Sequence, residues 1–289
     1  MTELPGPLVD AAWLEAHLDA GDLVVADVRW VAGGGAAAAR ALFKAGHIPG
    51  AAYLGVDDDL AAAAFDGPGR HPLPSPDAFA ATMGRAGIGD GTAVVAYDDA
   101  HGAFAARLWW MLDAVGERAA LLDGGLGSWG GPLETGPPAA VREPAVFSPR
   151  PWPADELVGA DEVARALSAA DATVLDARLP ERYRGEVEPL DPVAGHIPGA
   201  VSAPWVANID EGSGRFLDPG ALRERFVALG LEVDRPAIAH CGSGVTACHE
   251  LLALRLAGMD GRLYEGSWSD WVHDGTRPVA TGEEPGEPG

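Results

Sequence analysis

Cysteine, lysine and long apolar runs are all scarce in this chain, and each scarcity excludes something. Only two cysteines occur, Cys241 and Cys248, so no disulfide framework holds the fold, and a reducing, cytoplasmic setting is expected. Two cysteines without a companion histidine cluster also make a poor zinc site, and neither a metal nor an organic cofactor is expected. The most apolar stretch, residues 103–115, is interrupted by Arg107 and Asp113 and falls short of the roughly 18–20 residues of a membrane span. The opening Met1-Thr2-Glu3-Leu4-Pro5-Gly6-Pro7 has no basic segment followed by an apolar core, so no secretory leader is expected. Basic residues number 20 against 43 acidic ones, a formal charge of −23, and Lys44 is the sole lysine. That charge repels nucleic acid and anionic membranes, and neither is expected as a partner.

What is present is a globular composition written twice. The length of 289 residues, with 47 % apolar and 22 % charged residues, suits two domains that each bury a core. Gly46-His47-Ile48-Pro49-Gly50-Ala51 recurs 149 positions later as Gly195-His196-Ile197-Pro198-Gly199-Ala200. At the same offset Asp27-Val28-Arg29 recurs as Asp176-Ala177-Arg178. Val94 to Asp98 parallels Ala237 to Cys241 at an offset of 143, and Leu122-Asp123-Gly124 with Trp129 parallels Tyr264-Glu265-Gly266 with Trp271 at 142. Four colinear matches with a drifting offset are a tandem duplication. In the second half, strand-like runs at 173–177, 237–240 and 262–264 alternate with helical patterns at 160–168, 219–229 and 245–257. Alternation of this kind predicts an α/β fold, each half a mainly parallel sheet flanked by helices. The expected boundaries are an N-terminal domain at 1–135, a proline-rich linker at 136–155, a C-terminal domain at 156–279 and a loose acidic tail at 280–289. Between 132 and 153 there are seven prolines, which favour an extended surface segment over regular structure.

The chemistry is expected where the two copies differ. Asp98 and Cys241 hold matching places after an apolar strand and before a helix, where α/β sheets place their ligands. In Cys241-Gly242-Ser243-Gly244-Val245-Thr246 the glycines let the backbone curl and turn successive N–H groups inward. The positive end of the following helix reinforces this anion cradle and favours a thiolate. A merely buried cysteine is the bland alternative. Asp98 offers no sulfur chemistry and reads as a capping acid, with Asp99, for the helix that follows. Phosphate-cleaving cysteine enzymes place an arginine six residues after the cysteine to clamp phosphate; here that residue is Ala247. Sulfur transfer, with the thiolate holding a sulfur atom as a persulfide, is the alternative.

The tandem layout, both Gly-His-Ile-Pro-Gly-Ala motifs, Arg107-Leu108-Trp109-Trp110-Met111, Leu122-Asp123-Gly124-Gly125 and Glu265-Gly266-Ser267-Trp268 resemble the two-domain rhodanese family over nearly the whole chain. The loop Cys241-Gly242-Ser243-Gly244-Val245-Thr246-Ala247 is similar to that of the 3-mercaptopyruvate sulfurtransferases within it. The resemblance implies that Cys241 takes sulfur from 3-mercaptopyruvate, releasing pyruvate, and passes it to a small thiol, thioredoxin or cyanide. Thiosulfate:cyanide transfer is the second reading, since thiosulfate-preferring relatives carry basic residues just after the cysteine where Gly242 and Ser243 stand. A rhodanese-like binding or regulatory module without turnover is the third. The resemblance further implies that Ser243 polarises the donor carbonyl or relays a proton, with His71 and Asp57 reaching it as a relay. Gly242, Gly244, Val245 and Thr246 bind the donor through the loop, and Arg182 binds its carboxylate. A second donor arginine is expected just before the second Gly-His-Ile; Leu190-Asp191 stands there instead, with Arg184 the nearest substitute. His47 and His196, present in both halves, read as structural turn histidines, and Asp27–Arg29 and Asp176–Arg178 as internal ion pairs. His240 adjoins the nucleophile without pointing to its face of the sheet. Cys248 is expected in the core of the next helix, and Trp268 in the pocket wall or the core.

Overall fold

The computed structural model describes residues 1–137, 142–232 and 235–288. Its contacts divide the chain into two compact units that interleave in sequence. The first holds Met1–Ala62, Leu73–Trp152 and Glu211–Phe216; the second holds Ala63–Pro72, Pro153–Asp210 and Leu217–Gly289. Each half of the chain thus supplies a short segment to the unit built mainly from the other.

The first unit carries β1 (Leu8–Val9), β2 (Leu23–Asp27), β3 (Ala52–Tyr53), β4 (Ala93–Tyr97) and β5 (Ala119–Leu122), ordered β1-β5-β4-β2-β3. Its helices are α1 (Ala11–His17), α2 (Gly35–Ala45), α3 (Pro76–Arg85) and α4 (Ala105–Ala114). The second unit carries α5 (Ala160–Ala169), β6 (Thr173–Asp176), α6 (Pro180–Tyr183), β7 (Val201–Ser202) and α7 (Pro219–Ala228). It continues with β8 (Ala237–His240), α8 (Ala247–Leu256), β9 (Gly261–Leu263) and α9 (Ser267–Trp271). Its strand order is β7-β6-β8-β9. All ladders between these strands are parallel. The α/β class, the duplication and the parallel sheets flanked by helices are therefore as expected. The strands missed in sequence, such as β3 and β7, are two residues long and too short to show a period.

Central strands β2, β4 and β8 are buried at every residue, which is why they read as unbroken apolar runs rather than alternating ones. Helix starts follow local chemistry. Ser75 accepts from the Ala78 N–H ahead of Pro76, and Asp218 accepts from the N–H groups of Gly220 and Ala221 ahead of Pro219. Val163 and Ala166 of α5 pack with Val174, Ile238 and Trp268 in the second core, each large apolar side chain contributing about 1.5–3 kcal/mol.

The repeated motifs build one device in both units. Asp27 pairs with Arg29 and Asp176 with Arg178, each through an Nη2–Oδ2 contact of 2.6 Å. The same Nη2 donates to the carbonyl of Gly46 in one unit and Gly195 in the other, at 2.7 Å both times. His47 stacks on Phe43 and His196 on Tyr183, each with ring centroids 3.8 Å apart and both imidazoles fully buried. These histidines and ion pairs fasten the turn after α2 or α6 to the sheet, in the unit with a cysteine and in the unit without. The segment expected as a loose tail is tied down: His196 and Ala280 form a bridge, and the Gly199 N–H donates to the Pro285 carbonyl at 2.6 Å. Backbone groups of the repeated turn, left open by the two-residue strand beside it, supply that dock. Of the expected linker, residues 138–141 lie outside the described residues, as does Gly289 of the tail. Among the described residues no helix is long and apolar enough to cross a membrane.

Candidate active site

β8 runs directly into Cys241, and the register Asp176↔His240 matches Asp27↔Tyr97 in the other unit. Cys241 and Asp98 are therefore structural counterparts. The loop from Gly242 to Thr246 then leads into α8, whose ten residues begin at Ala247. Cys241 is 2 % and Ser243 6 % exposed, so both side chains are buried.

The turn that opens α9 holds this loop. The Cys241 N–H donates to Ser267 Oγ at 3.0 Å. The Trp268 N–H donates to the Cys241 carbonyl at 3.0 Å, and the Ser269 N–H to the Gly242 carbonyl at 2.9 Å. Gly244 has φ +75°, and a Cβ there would stand 2.3 Å from the Glu265 carbonyl oxygen, so the curl requires glycine. The repeated Glu265-Gly266-Ser267-Trp268 motif is thus the brace of the cysteine loop. Trp268 is fully buried, its indole N–H donating to the Val193 carbonyl and its ring lying under Arg178 at 4.5 Å. Val245 is buried, and its carbonyl accepts from the Cys248 N–H, while the Thr246 carbonyl accepts from the Glu250 N–H. Cys248 lies buried in α8 with its thiol on the Gly244 carbonyl.

Ala63–Pro72 belongs to this unit and brings two side chains to the loop. Gly69, at φ +74°, lets the segment touch the brace: a Cβ there would stand 2.4 Å from the Gly266 carbonyl oxygen. Beside it the Arg70 N–H donates to Ser269 Oγ at 3.1 Å. His71 Nδ1 and Ser243 Oγ share a hydrogen bond of 2.7 Å. The expected Ser243–His71 pair is brought together. Asp57 belongs to the first unit, where the Trp30 indole N–H donates to its Oδ1 at 2.9 Å.

Two guanidiniums converge on Gly242. The point where a Cβ would stand lies 3.3 Å from Nη1 and Nη2 of Arg182 and 3.3 Å from Nη2 of Arg70. Both are tethered by acids. Arg182 makes a two-point pair with Glu188, at 2.6 and 3.2 Å, and reaches Asp191 at 3.5 Å. Arg70 pairs with the other oxygen of Asp191 through Nη1. Both carboxylates are 3 % exposed. Burial pushes the Asp191 carboxyl above its ordinary range, against the pull of Arg70. Arg184 does not stand in for the missing arginine: its guanidinium binds Glu186 in two contacts of 2.8 Å, on the exposed side of the turn. Arg70 is the residue that sequence reasoning missed. The available signal was its place next to His71, itself expected at the loop.

Below the loop, His240 is wholly buried, with Nδ1 3.2 Å from the Cys241 carbonyl and Nε2 3.7 Å from Asp176 Oδ2. Burial pushes its pKa down, so the ring is neutral at pH 7. Burial alone would raise the Asp176 carboxyl, but Arg178 and its hydrogen bonds hold it down to about 2. This is an ion pair that anchors the strand end, with His240 packed on it.

The family model of the rhodanese-like domain matches twice, at residues 10–131 and 159–274. A Pseudomonas aeruginosa protein named as a probable 3-mercaptopyruvate sulfurtransferase is 46 % identical over 284 residues, covering 96 % of this chain and 98 % of its own. SseB of Mycobacterium tuberculosis, provisionally named a thiosulfate sulfurtransferase, is 40 % identical over 284 residues, covering 95 % and 97 %. The crystal structure of SseA from Escherichia coli, described among the 3-mercaptopyruvate sulfotransferases, superposes with a TM-score of 0.79 at 33 % identity, over 91 % of this chain and 99 % of that one. With one match in each half and relatives aligned nearly end to end, the chain belongs to the rhodanese family in its two-domain form.

Proposed function

We propose that the chain is a sulfurtransferase that takes a sulfane sulfur from 3-mercaptopyruvate and holds it as a persulfide on Cys241. The observation that carries this reading is the convergence on one loop of a cysteine, a serine–histidine pair and two guanidiniums. In the first step the Cys241 thiolate attacks the donor's sulfur atom; an S–S bond forms and the C–S bond breaks. The electron pair leaves with carbon as the pyruvate enolate, which takes up a proton, and the cysteine is left as its persulfide. In the second step an acceptor thiolate attacks the outer sulfur, forming the acceptor's persulfide and returning Cys241 to its thiolate; cyanide would leave as thiocyanate. Ser243 and His71, hydrogen-bonded at 2.7 Å, hand over the proton that the enolate needs. The loop from Gly242 to Thr246 cradles the sulfur anion, and Arg182 takes the donor carboxylate in a charge-assisted contact.

The charge balance supports a monoanionic donor. Arg70 and Arg182 are met by Glu188 and Asp191, so the wall beside Gly242 carries no surplus positive charge with which to neutralise a dianion. A small donor also suits a cysteine that is 2 % exposed. The acceptor is proposed to be a small thiol or thioredoxin in the cytoplasm.

The experiment is mass spectrometry of the protein after exposure to each donor, with kcat/KM measured alongside. A gain of about 32 Da, one sulfur atom, is expected on Cys241 with 3-mercaptopyruvate, and the Cys241→Ser variant should neither gain it nor turn over. Turnover by that variant would overturn the nucleophile assignment, and a higher kcat/KM for thiosulfate would overturn the donor.

A further inference from the structure

The first unit has no cysteine at its strand end, yet it holds a cavity of about 430 Å³ far richer in cationic groups than its structure needs. The cavity lies against the edge strand β3, between the last turn of α3 and residue 142. Its lining includes Arg40 of α2, Tyr53 of β3, Asp59, Thr82 and Arg85 of α3, and Arg142. These side chains come from five separate places in the chain and share one space.

Their partners do not account for the positive charge. Arg142 is half-buried and, among the described residues, has no acid or acceptor on its guanidinium; burial pushes its pKa down, with no carboxylate to restore it. Arg85 binds only the hydroxyl of Thr82, at 3.0 Å. Arg40 lies over the Tyr53 ring at 4.8 Å and meets Asp58 at 3.3 Å on the exposed side. Asp59 is the only acid of the lining, and burial pushes its carboxyl upward against the opposing pull of Arg40 and Arg85. An unpaired half-buried cation is costly, and an anionic occupant of the cavity relieves it. The occupant must be anionic and small, and it must carry several acceptor oxygens.

We propose that this cavity binds a small organic oxyanion, a carboxylate or a phosphate ester, with Arg85 and Arg142 as its charged contacts. The site is separate from the Cys241 loop and does not depend on the reading of that loop.

The test is a titration of the full-length protein with inorganic phosphate and, separately, with citrate, at constant ionic strength with sodium chloride as the control. Calorimetry and the shift in Tm are the readouts. A saturable Tm rise with at least one of the two is expected; phosphate alone points to a phosphate ester, citrate alone to a carboxylate. Arg142→Ala and Arg85→Ala should each weaken that binding at least tenfold, and Arg182→Ala should leave it unchanged. Arg142→Gln, which keeps the stem packed, serves if the alanine variant lowers Tm in anion-free buffer. No saturable binding of either anion, or binding that survives both cavity substitutions, would overturn the proposal. So would binding lost in Arg182→Ala, which assigns the anion to the cysteine loop instead.

Discussion

The two strand-end loops are the same structure put to different ends. In the first unit Asp98 is fully buried and turns its carboxylate back into its own loop. Oδ1 accepts from the N–H groups of Ala100 and Gly102, and Oδ2 from those of Phe104 and Ala105, all at 2.8–2.9 Å. The loop is filled by a carboxylate belonging to the chain. In the second unit the counterpart is Cys241, which carries a thiol where the first unit has a carboxylate. The comparison teaches that one strand end closes its loop on its own carboxylate, while the other puts a thiol at the same place and braces its loop from the turn of α9. Arginine supply differs too. Arg70 and Arg182 stand beside Gly242, whereas the first unit spends its spare guanidiniums on a separate cavity beyond β3.

Emptying the first cradle should have the largest effect on stability. Asp98→Ala leaves four inward N–H groups without their acceptor, and at about 1–3 kcal/mol for each buried group left unpaired the loss should be at least about 3 kcal/mol. Cys241→Ala, which removes no fixed anion, should cost no more than about 2 kcal/mol in the same urea unfolding series. Equal losses would break the comparison. The next effect concerns the arginines. Arg182→Ala and Arg70→Ala should each raise KM for 3-mercaptopyruvate by about 10–100-fold, the worth of a hydrogen bond to a charged group, with a smaller change in kcat. Arg184→Ala should change neither, and a loss there equal to the other two would restore it to the donor site.

The smallest effect is at acid pH. Because Asp176 titrates near 2 when folded rather than at its ordinary 3.8, it contributes stability that is fully present above about pH 4 and is lost as pH falls toward 2. The contribution is about 2 kcal/mol. Urea unfolding from pH 5 to 2 should show this slope flatten in Asp176→Asn, and an unchanged slope would remove the carboxylate from the acid limb.

Much of this was legible in the amino-acid order because duplication prints every structural device twice. His47 with His196 and Asp27 with Arg29 could be read as structural because a half without the cysteine kept them. Cys241 stood out because its counterpart did not match. The strand–glycine–helix pattern around it is local, so spacing alone fixed its place. Arg70 was illegible for the opposite reason. It lies in the first half by number and in the second unit by contact, and no period or motif encodes a segment crossing from one to the other. Arg184 misled because nearness in sequence to Arg182 says nothing about direction: two residues further along α6 and its end, the side chain has turned toward Glu186. The C-terminal segment read as loose from its glycine, proline and glutamate content, which gives no hint that it docks through backbone groups.

The segment from Ala63 to Pro72 also sets an order of assembly. Arg70 meets Ser269 across 199 positions of sequence, and His71 meets Ser243 across 172. As the chain leaves the ribosome, N-terminal first, this segment emerges early and has nothing to dock on until Ser243 and then α9 have been made. The cysteine loop therefore gains its histidine and one of its arginines only after the second half of the repeat has been made.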